Sequence, residues 1–231
     1  MKKRMLFLLF ATSASSAFAF CDGLQGYVGL AGGLSALSSD SFTRNLGSFE
    51  NYKSVVGGTS GLIGGVLGCQ TVIGGTYLAV QGNVFYNSTA TTSHRHITAT
   101  GQTNYLVRLK SDVQYGADAR VGLWFCGVAP YFLAGAEGGR WQSRLGNESD
   151  TSFRGIPAGT TLKYSKRLWG PKVGGGVIFP ISTCIAVNME YSHTWFGKME
   201  RRLVDSATGF TWRHKHSIAQ SSILFGLNYL F

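Results

Sequence analysis

Residues 105–125 alternate with a period of two. Val107, Leu109, Val113, Ala117, Val121 and Leu123 fall on one side, and Arg108, Lys110, Asp112, Gln114, Asp118 and Arg120 on the other. Side chains change face at every residue in an extended strand, so this run is a strand with two unlike sides. It is several times longer than the ~5–6 residues of an ordinary soluble strand. A tilted strand that crosses a bilayer in about 9–11 residues and continues beyond it has this length.

The same alternation returns between Cys184 and Ser192, where Ile185, Val187, Met189 and Tyr191 oppose Ala186, Asn188, Glu190 and Ser192. It returns again at the end, where Ile223, Phe225, Leu227, Tyr229 and Phe231 oppose Ser222, Leu224, Gly226, Asn228 and Leu230. One face is apolar; the other carries small residues, amides and charges. In a soluble sandwich the apolar face turns into a core, whereas here the opposite face holds the buried-type residues, which predicts a closed barrel with an apolar outside. Strands are expected near 22–36, 54–68, 71–87, 104–125, 129–142, 162–179, 184–196 and 213–231. The predicted fold class is therefore all-β, an eight-stranded antiparallel up-and-down transmembrane β-barrel, whose interior is filled largely by side chains. Tight turns near Cys69, Pro130 and Pro180 alternate with long polar connections at 37–53, 88–103, 143–161 and 197–212, as periplasmic turns alternate with external loops.

The opening segment, with Lys2, Lys3 and Arg4 followed by an apolar run and then Ala17-Phe18-Ala19, reads as a secretory signal over 1–19, leaving a barrel domain over 20–231. A lipid attached at Cys21 is disfavoured because Phe20, not a small residue, precedes it. Losing Lys2, Lys3 and Arg4 lowers the formal net charge from +10 to +7, on an exported chain for which no nucleic-acid partner is expected. The stretch 61–80 imitates a membrane helix, but Gly61, Gly64, Gly65, Gly68, Gly74 and Gly75 would each cost a helix about 1 kcal/mol relative to Ala. Two strands about a turn explain it better.

The strand patterns "FGLNYLF", "VNMEYSHTWFGKM" and "LQGYVGLAGG" resemble those of the small eight-stranded outer-membrane barrel family that includes opacity-type proteins. The likeness runs over the whole mature chain and rests on strand patterns, not on catalytic signatures. It implies residence in the outer membrane of a Gram-negative bacterium. It also implies that the terminal aromatics Tyr229 and Phe231 form the signal read by the barrel-assembly machinery.

Parity places Arg108, Lys110, Asp112, Asp118, Arg120 and Glu190 inside the barrel, with Glu137 and Lys172 beside them. Acids and bases in equal number predict an ion-pair network that plugs the lumen, because isolated charges there are costly. A narrow ion path lined by the same groups is the alternative. Pro171 falls within a strand of a closed barrel, where a missing donor is not harmless, so a bulge or a later strand start is expected there. Cys21, Cys69, Cys126 and Cys184 are expected on the periplasmic rim, an oxidising compartment. Proximity around the barrel favours Cys21 with Cys69 and Cys126 with Cys184; cross-links to neighbouring proteins and free thiols are the alternatives.

The external segments are basic, with Arg140, Arg144, Arg154, Lys163, Lys166, Arg167, Lys198, Arg201, Arg202, Arg213 and Lys215. Such groups suit outer-membrane lipid and the phosphates of lipopolysaccharide. His94 and His96, and His214 and His216, share a side of an extended segment, but their cationic neighbours disfavour a metal, and no cofactor is expected. His193 stands beside Ser192, yet adjacent strand residues point to opposite faces, so the two make no catalytic pair. The expectation is a non-enzymatic barrel with four surface loops and a structural or adhesive role, its loops meeting a host or envelope ligand. A narrow porin is the second reading and a lipid A-modifying enzyme the third.

Overall fold

The computed structural model describes residues 23–46, 51–87, 90–97, 103–147, 156, 159–204 and 209–231. The expected signal segment and Cys21 lie outside them, as does Arg154. Among the described residues nine strands run in chain order: β1 (Gln25–Asn45), β2 (Asn51–Ile73), β3 (Thr76–Asn87), β4 (Ala90–Ile97), β5 (Thr103–Leu123), β6 (Ala129–Asn147), β7 (Thr161–Pro180), β8 (Ile185–Val204) and β9 (Thr211–Leu230). They form one antiparallel sheet that closes on itself, because β9 pairs with β1 and β3 pairs with β5. Both β3 and β4 pair with β5, β4 next to its beginning and β3 next to its end, so together they fill one of eight positions around the ring.

Closure is continuous. The β1–β9 ladder runs from Tyr27↔Leu230 to Asn45↔Trp212, and Gly26 and Phe231 exchange both backbone hydrogen bonds at 2.9 Å. A closed ring satisfies every strand from both sides, which a bilayer demands. The segment 61–80 is a hairpin across Gly74 and Gly75, whose φ values of 55° and 80° suit the two-residue turns that need positive φ at both positions. Cys126 and Gly127, at φ 49° and 79°, make a second such turn.

The outer face is apolar. Leu30, Leu67, Val80, Phe132, Phe225 and Tyr229 all point out of the ring, Phe132 with 78 % of its surface exposed. This belt ends on the external side with Tyr86, Trp169 and Trp195, the amphipathic rings expected at a membrane–water boundary. Beyond them the strands continue as a hairpin extension with polar outer residues, and this corrects the reading of 37–53 and 197–212 as loops. Strand pairing reaches Arg44↔Asn51 and Val204↔Thr211. Serine and threonine at Ser38, Ser39, Ser41 and Thr43 read as a loop because both faces are polar there, yet Ser39, Ser41 and Thr43 are buried inside the ring.

Among the described residues two bulges interrupt the ladders, one between Ser111 and Gln114 on β5 and one between Trp195 and Lys198 on β8. Each inserts one extra residue and reverses which side chains face in. No bulge marks Pro171. It pairs with Ala136 in the β6–β7 ladder, while the β7–β8 ladder stops one residue away at Lys172↔Thr194. The missing donor is tolerated because the seam toward β8 ends there.

Candidate functional site

Inside the ring, layers alternate in character. An apolar cluster lines the membrane-spanning interior, from Tyr27, Tyr77 and Leu230 near the periplasmic end to Leu62, Phe85 and Leu224 beside and beyond the charged residues. Asp118 and Arg120 on β5, Lys172 on β7 and Glu190 on β8 reach into the lumen from three sides. Arg120 Nε donates to Asp118 Oδ1 at 3.0 Å and Nη2 to Glu190 Oε2 at 2.6 Å. Lys172 Nζ lies 3.1 Å from Glu190 Oε1 and 3.5 Å from Asp118 Oδ2. Each carboxylate thus bridges both cations, and the four charges close a cycle that is at most 2 % exposed.

The remaining valences are filled by neighbours. Asn83 Nδ2 donates to Asp118 Oδ2 at 3.2 Å, Tyr131 Oη to Glu190 Oε2 at 3.3 Å, and the Arg120 guanidinium lies 5.0 Å from the Tyr131 ring centroid. Glu137 sits alongside, accepting from Thr194 Oγ1 at 3.0 Å. Full satisfaction of this kind is the condition under which buried charges persist. Above it, Gln114 and Gln220 exchange hydrogen bonds at 2.7 and 3.2 Å. A second apolar cluster follows, with Leu37, Leu109, Trp141, Phe196, Met199 and Ile218, and a third around Val56, Val107, Leu145 and Ile156.

The structure therefore brings together Asp118, Arg120, Lys172 and Glu190, with Glu137 adjacent. Arg108, Lys110 and Asp112 are not among them, which corrects their assignment to the lumen. Arg108 and Lys110 lie on the far side of the β5 bulge, where parity is reversed, and Asp112 lies within the bulge. Lys110 Nζ bridges Asp112 Oδ1 at 2.7 Å with both side chains more than a third exposed, and Val107, Leu109 and Ser111 are the buried residues instead.

The cysteine readings are corrected too. Cys69 lies within β2, paired with Val80 and Gly26 and short of the turn, because the turn is made by Gly74 and Gly75. Cys126 and Cys184 are unbridged in the structure, as is Cys69, whose expected pairing with Cys21 lies outside the described residues. Tyr229 and Phe231 point outward at the periplasmic end, with the Phe231 ring lying over Gly26 where a Cβ would come within 2.6 Å.

The external extension holds His214 and His216, the pair that the alternation placed on one side of the strand. His214 and His216 point into the ring and are each 1 % exposed, at a level where the outer residues of β9 are Arg213, Lys215 and Ser217, outside the apolar belt. His216 stacks on Tyr164 at 6.4 Å, and its Nδ1 and Nε2 have no hydrogen-bond partner. Burial, with a smaller contribution from His214, holds His216 down at about 4 against an ordinary 6.5. Between those values the unfolded chain binds the proton and the folded one does not, so stability is complete above pH ~6.5 and falls as pH drops toward ~4. Urea titrations of the refolded barrel across this window should show that loss, and His216→Gln should flatten it.

On the outer side of the extension, Arg140, Lys163, Lys166, Arg167, Lys198, Arg201 and Arg202 are exposed. Glu200 takes Arg213 at 2.6 Å and Arg202 at 3.7 Å, and the Arg213 hydrogen bond holds its carboxyl below the usual range. Lys166 Nζ donates to the Lys198 carbonyl at 3.2 Å across the seam where the β7–β8 ladder has ended. A collar of positive charge thus stands directly above the aromatic residues of the belt. Among the described residues no three His, Cys, Asp or Glu side chains gather as a metal would require.

A closed antiparallel ring, apolar toward lipid and salt-linked toward its axis, defines an integral β-barrel of the Gram-negative outer membrane. The chain belongs to the family described as outer membrane protein beta-barrel domain, which matches residues 5–231. Among solved structures it is similar to the outer membrane protein OprG from Pseudomonas aeruginosa, with 10% identity over 89% of this chain and 96% of that one and a TM-score of 0.53. Neisserial surface protein A matches at 14% identity, TM-score 0.39, over 89% and 97%. The attachment invasion locus protein Ail of Yersinia pestis matches at 14% identity, TM-score 0.34, over 87% and 98%. No curated protein sequence matches the chain.

Proposed function

We propose that this protein is a sealed outer-membrane anchor whose cationic extracellular collar contacts phosphorylated glycolipid and, through it, envelope or host surfaces, a surface-interaction or adhesive role and not a pore. The observation that carries the reading is the lumen: a cyclic quartet of Asp118, Arg120, Lys172 and Glu190 at most 2 % exposed, with apolar layers on both sides of it. With its interior occupied, what the barrel offers to other molecules is its outer face.

Lys163, Lys166, Arg167, Lys198 and Arg201 are exposed just beyond the aromatic residues of the belt, which supports contact with glycolipid phosphates, since charge-assisted contacts to phosphate are among the stronger polar interactions. Tyr229 and Phe231, outward at the strand that closes the ring, support their reading as the segment that the barrel-assembly machinery recognises. Native mass spectrometry of the detergent-solubilised barrel with lipopolysaccharide tests the collar. Binding should be retained with the phosphorylated glycolipid and lost with its dephosphorylated form. Lys166→Glu with Arg167→Glu should weaken it at least tenfold. Equal binding of both glycolipids would reject the reading.

A further inference from the structure

On the lipid-facing wall, His193 of β8 and Ser221 of β9 are direct partners in the β8–β9 ladder. His193 Nδ1 lies 2.8 Å from Ser221 Oγ, within the reach at which an imidazole takes a proton from a hydroxyl. The Trp195 ring meets the imidazole edge-on at 4.5 Å and fixes its plane. Tyr191 Oη donates toward the same Ser221 oxygen from 3.5 Å. A mutual hydrogen bond would suffice to satisfy two polar groups on such a wall. It does not account for a phenol converging on that oxygen, nor for the position of the trio.

That position is particular. Below it on the same face are Met189, Ile223 and Phe225, and above it, beyond Trp195, are Lys198 and Lys215. Acyl esters of membrane lipids lie in this layer, between the hydrocarbon and the charged headgroups. A lipid whose phosphate met the collar would have its acyl esters at the level of Ser221, one step toward the hydrocarbon from Lys198 and Lys215.

We propose that Ser221 and His193 form a nucleophile and base that hydrolyse acyl esters of phosphate-bearing lipids of the outer leaflet. His193 takes the Ser221 proton as Oγ adds to the ester carbonyl, and the Tyr191 hydroxyl stands ready to hydrogen-bond the resulting oxyanion. Collapse breaks the carbon–oxygen bond to the lipid alcohol, which leaves with the proton from the imidazolium. Water, deprotonated by His193, then adds to the acyl-serine; the fatty acid departs and Oγ recovers its proton. An aromatic edge, not a carboxylate, backs the imidazole, so turnover slower than that of a full triad is expected. The activity goes beyond glycolipid contact, and its failure would leave the binding result untouched.

The refolded full-length protein is incubated in mixed micelles with lipopolysaccharide in one arm and phosphatidylglycerol in the other, and released fatty acid is read by mass spectrometry. Release at least tenfold above a protein-free control in either arm, abolished by Ser221→Ala and cut at least tenfold by His193→Ala, is the expected result. The arm that responds identifies the lipid. A fluorophosphonate should label Ser221 in the unmodified protein, which decides the matter even if a variant fails to fold. No release in either arm, an undiminished rate in Ser221→Ala, or no label on Ser221 would overturn the proposal.

Discussion

Glu190→Ala should destabilise the barrel by about 3–5 kcal/mol, the cost of leaving buried charge without its partner. Glu190 bridges Arg120 at 2.6 Å and Lys172 at 3.1 Å while accepting from Tyr131. Removing it leaves Asp118 to hold two cations in a site closed to water. Glu190→Gln keeps the shape and a hydrogen-bond acceptor and should cost less. Replacing Glu190 and Lys172 together, as Leu and Met, leaves the Asp118–Arg120 pair at 3.0 Å intact and should recover much of the loss. Urea unfolding of the refolded protein in lipid vesicles measures all three; equal stability of Glu190→Ala and the unmodified barrel would contradict the quartet.

Deleting Asp112 should prevent the barrel from forming. Between Ser111↔Trp141 and Gln114↔Gly139, β5 has two residues where β6 has one. Without the extra residue, every side chain earlier in β5 changes face. Leu109, Val107 and Ser111 would leave the interior, and Lys110 and Arg108 would enter it with no acid opposite. Two unpaired buried cations cost more than about 5 kcal/mol together, a large share of any fold's stability. Electrophoresis of unheated and heated samples checks this: the unmodified barrel should migrate as two distinct species and the deletion as one. Asp112→Ala, which keeps the residue count and removes only the exposed Lys110–Asp112 pair, provides a comparison expected to be far milder.

That bulge also explains what could be seen in the sequence and what could not. The alternation from 105 to 125 stays in phase across it, because two reversals coincide. Val113, Val121 and Leu123 are apolar because they face lipid, whereas Val107 and Leu109 are apolar because they face a packed interior beyond the membrane. The environment inverts where the parity inverts, and the pattern runs on unbroken. Asp118, Arg120 and Glu190 were legible because they lie on the bilayer side of the bulges, where outward means apolar. Arg108, Lys110 and Asp112 were misplaced because they do not.

Cross-strand geometry was hidden for a different reason. Ser192 was rejected as a partner of His193 because neighbours on a strand face opposite ways, and indeed Ser192 points inward, 2.9 Å from Ser222. The hydroxyl that reaches His193 comes from the next strand, and only the register His193↔Ser221 reveals it. Likewise, Cys126 and Cys184 were matched by their place around the rim, but proximity of turns does not specify the approach of two sulfurs that a disulfide needs.

Current through single refolded proteins in a planar bilayer tests most directly whether the interior is sealed. With the quartet closed between its apolar layers, the unmodified protein should hold a flat baseline at potentials of either sign. A stable unitary conductance that scales with salt concentration would mean that ions pass through the layer where Asp118, Arg120, Lys172 and Glu190 meet, and would contradict the account.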